Sequence, residues 1–171
     1  MSVKPDPTFD HGVLEAVLAR LYHALGAAQS AAEVGWALTN GAIAHLGLED
    51  CVVYLLEADG SALSQCAAFG PKQAAREVLE SHLRLPIGVG VVGCAAQLAQ
   101  TQLVRDTRQD PRYVRDDAAR LSELAVPICW QGKVIGVIDS EHSQLAFFTA
   151  RHQQVFEALA ELSAAFFAKW R

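Results

Sequence analysis

The stretch Ser122–His142, SELAVPICWQGKVIGVIDSEH, decides the fold. Leu124–Trp130 and Lys133–Asp139 are apolar and rich in β-branched residues, and Gln131-Gly132 between them supplies tight-turn chemistry, so the two runs read as a hairpin of central strands. Pro127 cannot donate to a ladder and marks an edge, a bulge or an irregular pairing. Register then decides what the hairpin presents. A two-residue turn sets Glu123 opposite Ser140 and sends Asp139 to the other face. A bulge or a three-residue loop makes Glu123 and Asp139 cross-strand neighbours, and of these two registers only the second builds an acidic cluster. Facing carboxylates repel, so such a pair would hold a cationic ligand group or have one raised pKa. Arg105, Arg112, Arg115 and Arg120 are equally available as salt-bridge partners, or as holders of an anionic ligand.

Upstream of the hairpin, Leu83–Ile87 reads as a strand running into Gly88-Val-Gly-Val-Val-Gly93, and Val91–Gln100 as a short helix. The glycines superficially match a dinucleotide fingerprint. That reading needs an early βαβ unit and an acid about 20 residues on, whereas Asp106 follows Gly93 by 13. A tight strand-to-helix turn whose N–H groups border a pocket fits better, and a helix start there favours an anionic group. Gln102–Arg105 is a brief extended piece, and Asp106–Asp117 (DTRQDPRYVRDD) is a charged loop long enough to suggest function.

Further out, Cys51–Leu56 and Ala62–Phe69 read as strands around an Asp59-Gly60 turn, and Gln73–His82 as a short polar helix. Apolar residues recur at helical spacing from Asp10, an available N-cap, to Ala24. Ser30 with Glu33 opens a second helix that carries an apolar face as far as Leu46, before Gly47. Thr149 caps a last helix rich in phenylalanine. An antiparallel sheet with terminal helices is an α+β domain, expected to span residues 10–171 behind a tail of residues 1–9.

The composition narrows the function classes. Of 171 residues, 51% are hydrophobic and 19% charged, which excludes intrinsic disorder. A net charge of −5 with scattered Lys and Arg argues against nucleic acid as a partner. Apolar runs fall short of a bilayer span, and MSVKPDPTFDHG lacks the pattern of a secretory signal, so a cytoplasmic location with no membrane partner is expected. Cys51, Cys66, Cys94 and Cys129 form no CxxC, and the six histidines are far apart, so no metal site is expected.

The words LPIGVGVVGCAAQLAQTQLVRDTRQDPRYV (Leu85–Val114) and SELAVPICWQGKVIGVIDSEH, in this order, resemble a GAF domain, the small-molecule sensor module of signalling proteins. The resemblance implies a PAS-related, six-stranded antiparallel sheet with the N- and C-terminal helices on one face. It places a ligand pocket on the other face, under the short helix and the charged loop. One enzyme of this family, the free methionine-(R)-sulfoxide reductase, works through cysteine thiolates, and its thiol positions fall on Val92 and Asp116. Cys94, two residues on, is turned about 200° around the helix and is no obvious substitute. The positions of the acids through which that enzyme binds substrate fall on Glu123, Asp139 and Glu141, with Glu replacing Asp at the last. Chromophore-attachment and cyclic-nucleotide signatures are not matched.

The resulting expectation is a non-enzymatic sensor or regulatory domain with a pocket drawn from Tyr54, Phe69, Val92, Asp106, Tyr113, Glu123, Asp139 and Glu141. It would take an unidentified small molecule and no further cofactor. The aromatic surplus on the last helix suggests a homodimer through the terminal helices, reporting to an effector domain or a signalling protein. The alternatives are a reductase of the methionine sulfoxide type with relocated thiols, and a dimerisation module whose pocket is filled.

Overall fold

The structure is a computed structural model and describes residues 11–171. The expected tail and the Asp10 cap lie outside the described residues. Six antiparallel strands form one sheet. They are β1 (Cys51–Leu56), β2 (Ala62–Phe69), β5 (Arg84–Pro86), β6 (Gln102–Val104), β7 (Ser122–Trp130) and β8 (Lys133–His142), ordered β5-β2-β1-β8-β7-β6. The Ser122–His142 hairpin therefore sits beside the middle of the sheet, as its unbroken apolar runs require.

The helices α1 (His11–Ala27), α2 (Ala31–Gly41) and α4 (Ala150–Ala168) cover one face, and α3 (Gly90–Leu98) stands on the other. Strand alternation feeds both layers. Cys51 and Val53 of β1 join Leu38, Phe156, Leu159 and Phe167 in the helical layer. Val52 and Tyr54 turn the other way, to Val91, Val92 and Ala95 of α3. The capping signals act as read: Ser30 Oγ accepts from Glu33 N–H at 3.1 Å, and Thr149 forms a reciprocal capping box with His152. Helix α2 ends earlier than its apolar face suggests, at Gly41, and Ile43–His45 continues as a single 3₁₀ turn.

One element differs in kind. Gln73–His82 is not a helix. Gly70–Lys72 forms a 3₁₀ turn, and β3 (Gln73–Ala75) and β4 (Val78–Leu79) make a small separate hairpin around Arg76-Glu77. Propensity favoured a helix there, but Gly70 (φ +83°) starts the segment in a left-handed conformation, pressed so closely on residue 49 that a Cβ would meet Glu49 O at 2.3 Å.

The aromatic surplus is largely absorbed within the chain. Phe148, Phe156 and Phe167 are buried, Phe147 and Phe166 are partly buried, and Trp170 is exposed. Among the described residues no helix is long and apolar enough to cross a membrane. Phe167→Ala, which deletes a fully buried ring, is expected to cost about 3–5 kcal/mol in urea denaturation. Trp170→Ala on the exposed end of the same chain segment should stay within about 0.5 kcal/mol of the parent.

Candidate functional site

The β7–β8 register is neither of the two expected from the turn. Trp130 pairs with Lys133 and Cys129 with Val134, but the ladder shifts between Ile128 and Cys129, and from there Ile128 faces Gly136 and Ala125 faces Asp139. The extra residue lies in β8, so Glu123 comes opposite Glu141, with Asp139 two residues along the same face. All three acids thus point to the α3 side. Close approach makes this possible at Gly136, where a Cβ would meet Tyr54 O at 2.4 Å.

These acids line a closed pocket with Tyr54, Lys72, Leu83, Leu85, Gly90, Val91, Val92, Val114 and Asp116. Its free space is only about 10 Å³, roughly what one water molecule needs. The centre is taken by the ammonium of Lys72, a lysine only 3% exposed, which donates to Glu141 Oε2 and lies 3.6 Å from Asp50 Oδ2, 3.9 Å from Asp117 Oδ1 and 4.0 Å from Asp116 Oδ2. Asp50 is fixed by accepting from Glu141 N–H at 2.7 Å, and Arg120 Nε stands 3.6 Å from its other oxygen. Gln65 ties the roof together. Its amide donates to Tyr54 Oη and Asp116 Oδ2, and its carbonyl oxygen accepts from Ser81 Oγ and Leu83 N–H.

Burial makes these acids hard to ionise. It pushes Glu123 and Asp139 well above the carboxylate range, and repulsion adds to the shift, from Asp139 and Glu141 on the first and from Glu141 on the second. Burial and this repulsion together favour the protonated, neutral form of these two carboxyls. Asp50 is pushed up to about 6 by burial, against the opposing pull of Lys72. For Lys72 itself burial disfavours charge, but Asp50, Glu141 and Asp139 outweigh it, so the ammonium form is held. Even so, Glu123 Oε2, Asp139 Oδ1 and Glu141 Oε1 are buried without a hydrogen-bond partner.

Among the expected site residues, Tyr54, Val92, Glu123, Asp139 and Glu141 meet at this pocket. Tyr113 stands at its rim, where its hydroxyl accepts from Arg120 N–H at 3.1 Å and lies next to Glu141. Phe69 does not take part, because it falls on the helical side of β2 and packs into that core. Asp106 does not either. It caps the 3₁₀ turn Thr107–Gln109 and pairs with Arg108 on the outside of the loop.

An anionic group at the α3 start is disfavoured by the four acids Asp50, Glu123, Asp139 and Glu141. Arg108 and Arg112 are spent on Asp106 and Asp110, while Arg115 is exposed. Sequence reasoning missed Asp50, Lys72 and Gln65. No motif flags them, and Lys72 lies next to the segment read as a polar helix. Among the described residues the one trio of acids close enough to share a metal ion, Asp50, Asp117 and Glu141, has Lys72 lodged within it.

The thiols are elsewhere. Cys51 is buried in the helical core, Cys66 packs against Gly35 of α2, and Cys129 is exposed at the hairpin end. Cys94, on α3, touches Gly88 O at 3.4 Å and the Arg112 guanidinium. Val92 and Asp116, which the resemblance put at thiol positions, both line the pocket.

A sheet with helices on one face and a roofed acidic pocket on the other defines an α+β domain of the sensor-module architecture. The GAF domain family profile matches residues 37–165, and the chain belongs to that family. It is 32% identical over 72 residues to the free methionine-R-sulfoxide reductase of Escherichia coli, a match covering 42% of this chain and 44% of that protein. It is 36% identical over 61 residues to protein YtsP of Bacillus subtilis, covering 36% and 37%. Less than half the length of these relatives is thus spanned.

In fold it is similar to the free methionine-R-sulfoxide reductase of Neisseria meningitidis in complex with its substrate (TM-score 0.80, 21% identity, 98% and 94% of the two chains). It is similar too to the GAF domain of an Acinetobacter phosphoenolpyruvate-protein phosphotransferase (TM-score 0.80, 19% identity, 94% and 95%). The expectation that this chain stands with the non-enzymatic members is corrected by these comparisons. Relatives and structural neighbours carry the name of an enzyme family, which the missing thiol positions had argued against.

The raised acids predict an inverted pH dependence. A carboxyl whose folded pKa lies above its unfolded value binds more protons in the native state, so stability falls as pH rises between the two values. For Asp50 that window runs from about 4 to about 6, and for Glu123 and Asp139 it extends higher. His142, held below its usual value by burial, opposes this as one group against three. The melting temperature is therefore expected to be higher at pH 5.5 than at pH 8, and Asp139→Asn should flatten that slope in a calorimetric pH series.

Proposed function

We propose that this GAF domain binds a small molecule through an ammonium group, and that a free amino acid is the ligand class. The observation that carries the reading is the set of buried carboxylate oxygens without a partner, Glu123 Oε2 and Asp139 Oδ1 beside Glu141 Oε1. Leaving such oxygens dry is costly, and an ammonium supplies the three donors and the positive charge that offset the cost. The names of the relatives support the same chemistry, since free methionine sulfoxide carries an α-ammonium.

Entry requires the roof to open, because the closed pocket holds no more than a water. The hinged parts are the 70–83 segment and the 110–120 loop, which meet at Lys72, Ser81, Asp116 and Asp117. A ligand that favours one arrangement of this roof shifts it only by its differential affinity. The strands under the roof reach the end of α4 directly, through Arg171, which donates to Ile135 O and Leu56 O.

Free methionine-R-sulfoxide is expected to raise the melting temperature, and N-acetyl-methionine sulfoxide, which lacks the ammonium, is not. An ammonium favours the ionised form of Glu123 and Asp139, which burial holds protonated in its absence, so affinity should strengthen from pH 6 to pH 8 in calorimetric titration. Equal shifts from both compounds, or none from either, overturn the reading.

A second reading, reductase activity, is favoured by one observation in this chain besides the relatives' names. Cys94 lies one turn along α3 from the pocket-lining Gly90 and Val91, partly exposed and beside a guanidinium, the setting that reactive cysteines share. Its thiol would take the sulfoxide oxygen to become a sulfenic acid, releasing methionine. Two equivalents of an external thiol would then return it to the thiol, giving a disulfide and water. This reading expects dithiothreitol-dependent conversion of free methionine-R-sulfoxide that Cys94→Ser abolishes. Absence of turnover removes it and leaves the binding reading standing.

A further inference from the structure

The acidic pocket already contains one ammonium, and it belongs to the chain. We propose that Lys72 is a tethered ligand: its side chain fills one of two cation subsites, so that without it this subsite becomes a binding site for a free primary alkylammonium. This deepens the proposed ammonium-binding function and rests on it for the second subsite alone.

Two sets of acids divide the pocket. Glu141 Oε2, Asp50, Asp116 and Asp117 surround Lys72 Nζ, three of them at 3.6–4.0 Å and Glu141 in a direct hydrogen bond. Glu123 and Asp139 lie outside that shell and keep their own unpartnered oxygens. A lysine is almost never buried to this degree unless paired, and here the pairing is with several acids at once.

Its placement is built into the backbone. Gly70 lies so close to residues 49 and 50 that no side chain fits, and Lys72 O accepts from Glu80 N–H at 2.9 Å, which closes the 3₁₀ turn and the β3–β4 hairpin into one small unit. The lysine thus enters the pocket on a separate segment and not from the sheet, as a bound molecule would. With one subsite satisfied internally, the site takes a ligand with a single ammonium.

The test is chemical rescue. Lys72→Ala leaves both the four-carbon stem and the ammonium unfilled. The variant is expected to melt several degrees below the parent and to regain most of that loss with n-butylammonium chloride at tens of millimolar. Sodium chloride at equal ionic strength and 1-butanol should restore little. Lys72→Met keeps the stem and should gain nothing from n-butylammonium.

If Lys72→Ala is recovered unfolded, its refolding yield with n-butylammonium against 1-butanol reads the same property. Rescue by 1-butanol as good as by the ammonium, no rescue at all, or a Lys72→Ala variant as stable as the parent overturns the inference. Rescue does not depend on what the parent protein binds. A positive rescue with no methionine sulfoxide binding therefore sinks the proposed function and spares the tethered ligand, and the converse result does the opposite.

Discussion

Four carboxyls, Asp50, Glu123, Asp139 and Glu141, are buried together on one face of the sheet, and the structure depends on how their charge is neutralised. Bringing several anions out of water is prohibitive unless cations or protons come with them. Lys72 supplies one positive charge at the centre, Arg120 a second behind Asp50, and protonation, favoured by burial at Glu123 and Asp139, relieves the remaining repulsion. Those three devices hold segments distant in sequence. Lys72 brings the 70–83 segment over the sheet, and Arg120 with Asp117 brings the end of the charged loop. These devices still leave Glu123 Oε2, Asp139 Oδ1 and Glu141 Oε1 unmatched, and the proposed ammonium ligand rests on those oxygens.

The sheet can present the acids in this way because of irregularities that a regular ladder would not tolerate. The extra residue in β8 brings Glu123, Asp139 and Glu141 to one face, and a second shift between β1 and β2 at Val53/Tyr54 leaves Tyr54 pointing to the pocket opposite Gln65. Bulges of this kind re-aim side chains at functional sites. Glycines play the matching role in the backbone, letting β8 lie against β1 at Gly136 and the 3₁₀ turn lie against residues 49 and 50 at Gly70.

The pocket brings together the acids that the family resemblance singled out, and among the described residues no cysteine lines it. Glu123, Asp139 and Glu141 occupy the pocket, while Val92 and Asp116 stand there in place of thiols, and Asp116 is bound into the roof by Gln65 and Ser81. The acids remain under α3, and Cys94 on that helix turns toward Gly88 and Arg112.

Most of the fold was legible in the sequence because strand and helix signals are local. The runs 51–56 and 62–69, the Gln131-Gly132 turn, and the Ser30 and Thr149 caps act through neighbours a few residues away. The six-stranded antiparallel sheet followed from the family resemblance, which left the hairpin register, and with it the acidic cluster, open. What only the tertiary structure decided was non-local. The β8 bulge is set by packing of Gly136 on Tyr54, and a shift of one residue reverses which acids meet. Phe69 lost its place because the face of β2 to which it belongs is fixed by the bulge opposite β1. Lys72 carries no local signal, since a lysine beside a polar segment reads as solvated. It becomes central only when Gly70, packed on residue 49, aims it into acids brought from positions 50, 116, 117 and 141. Charge burial is a property of that assembled neighbourhood, and no window of sequence contains it.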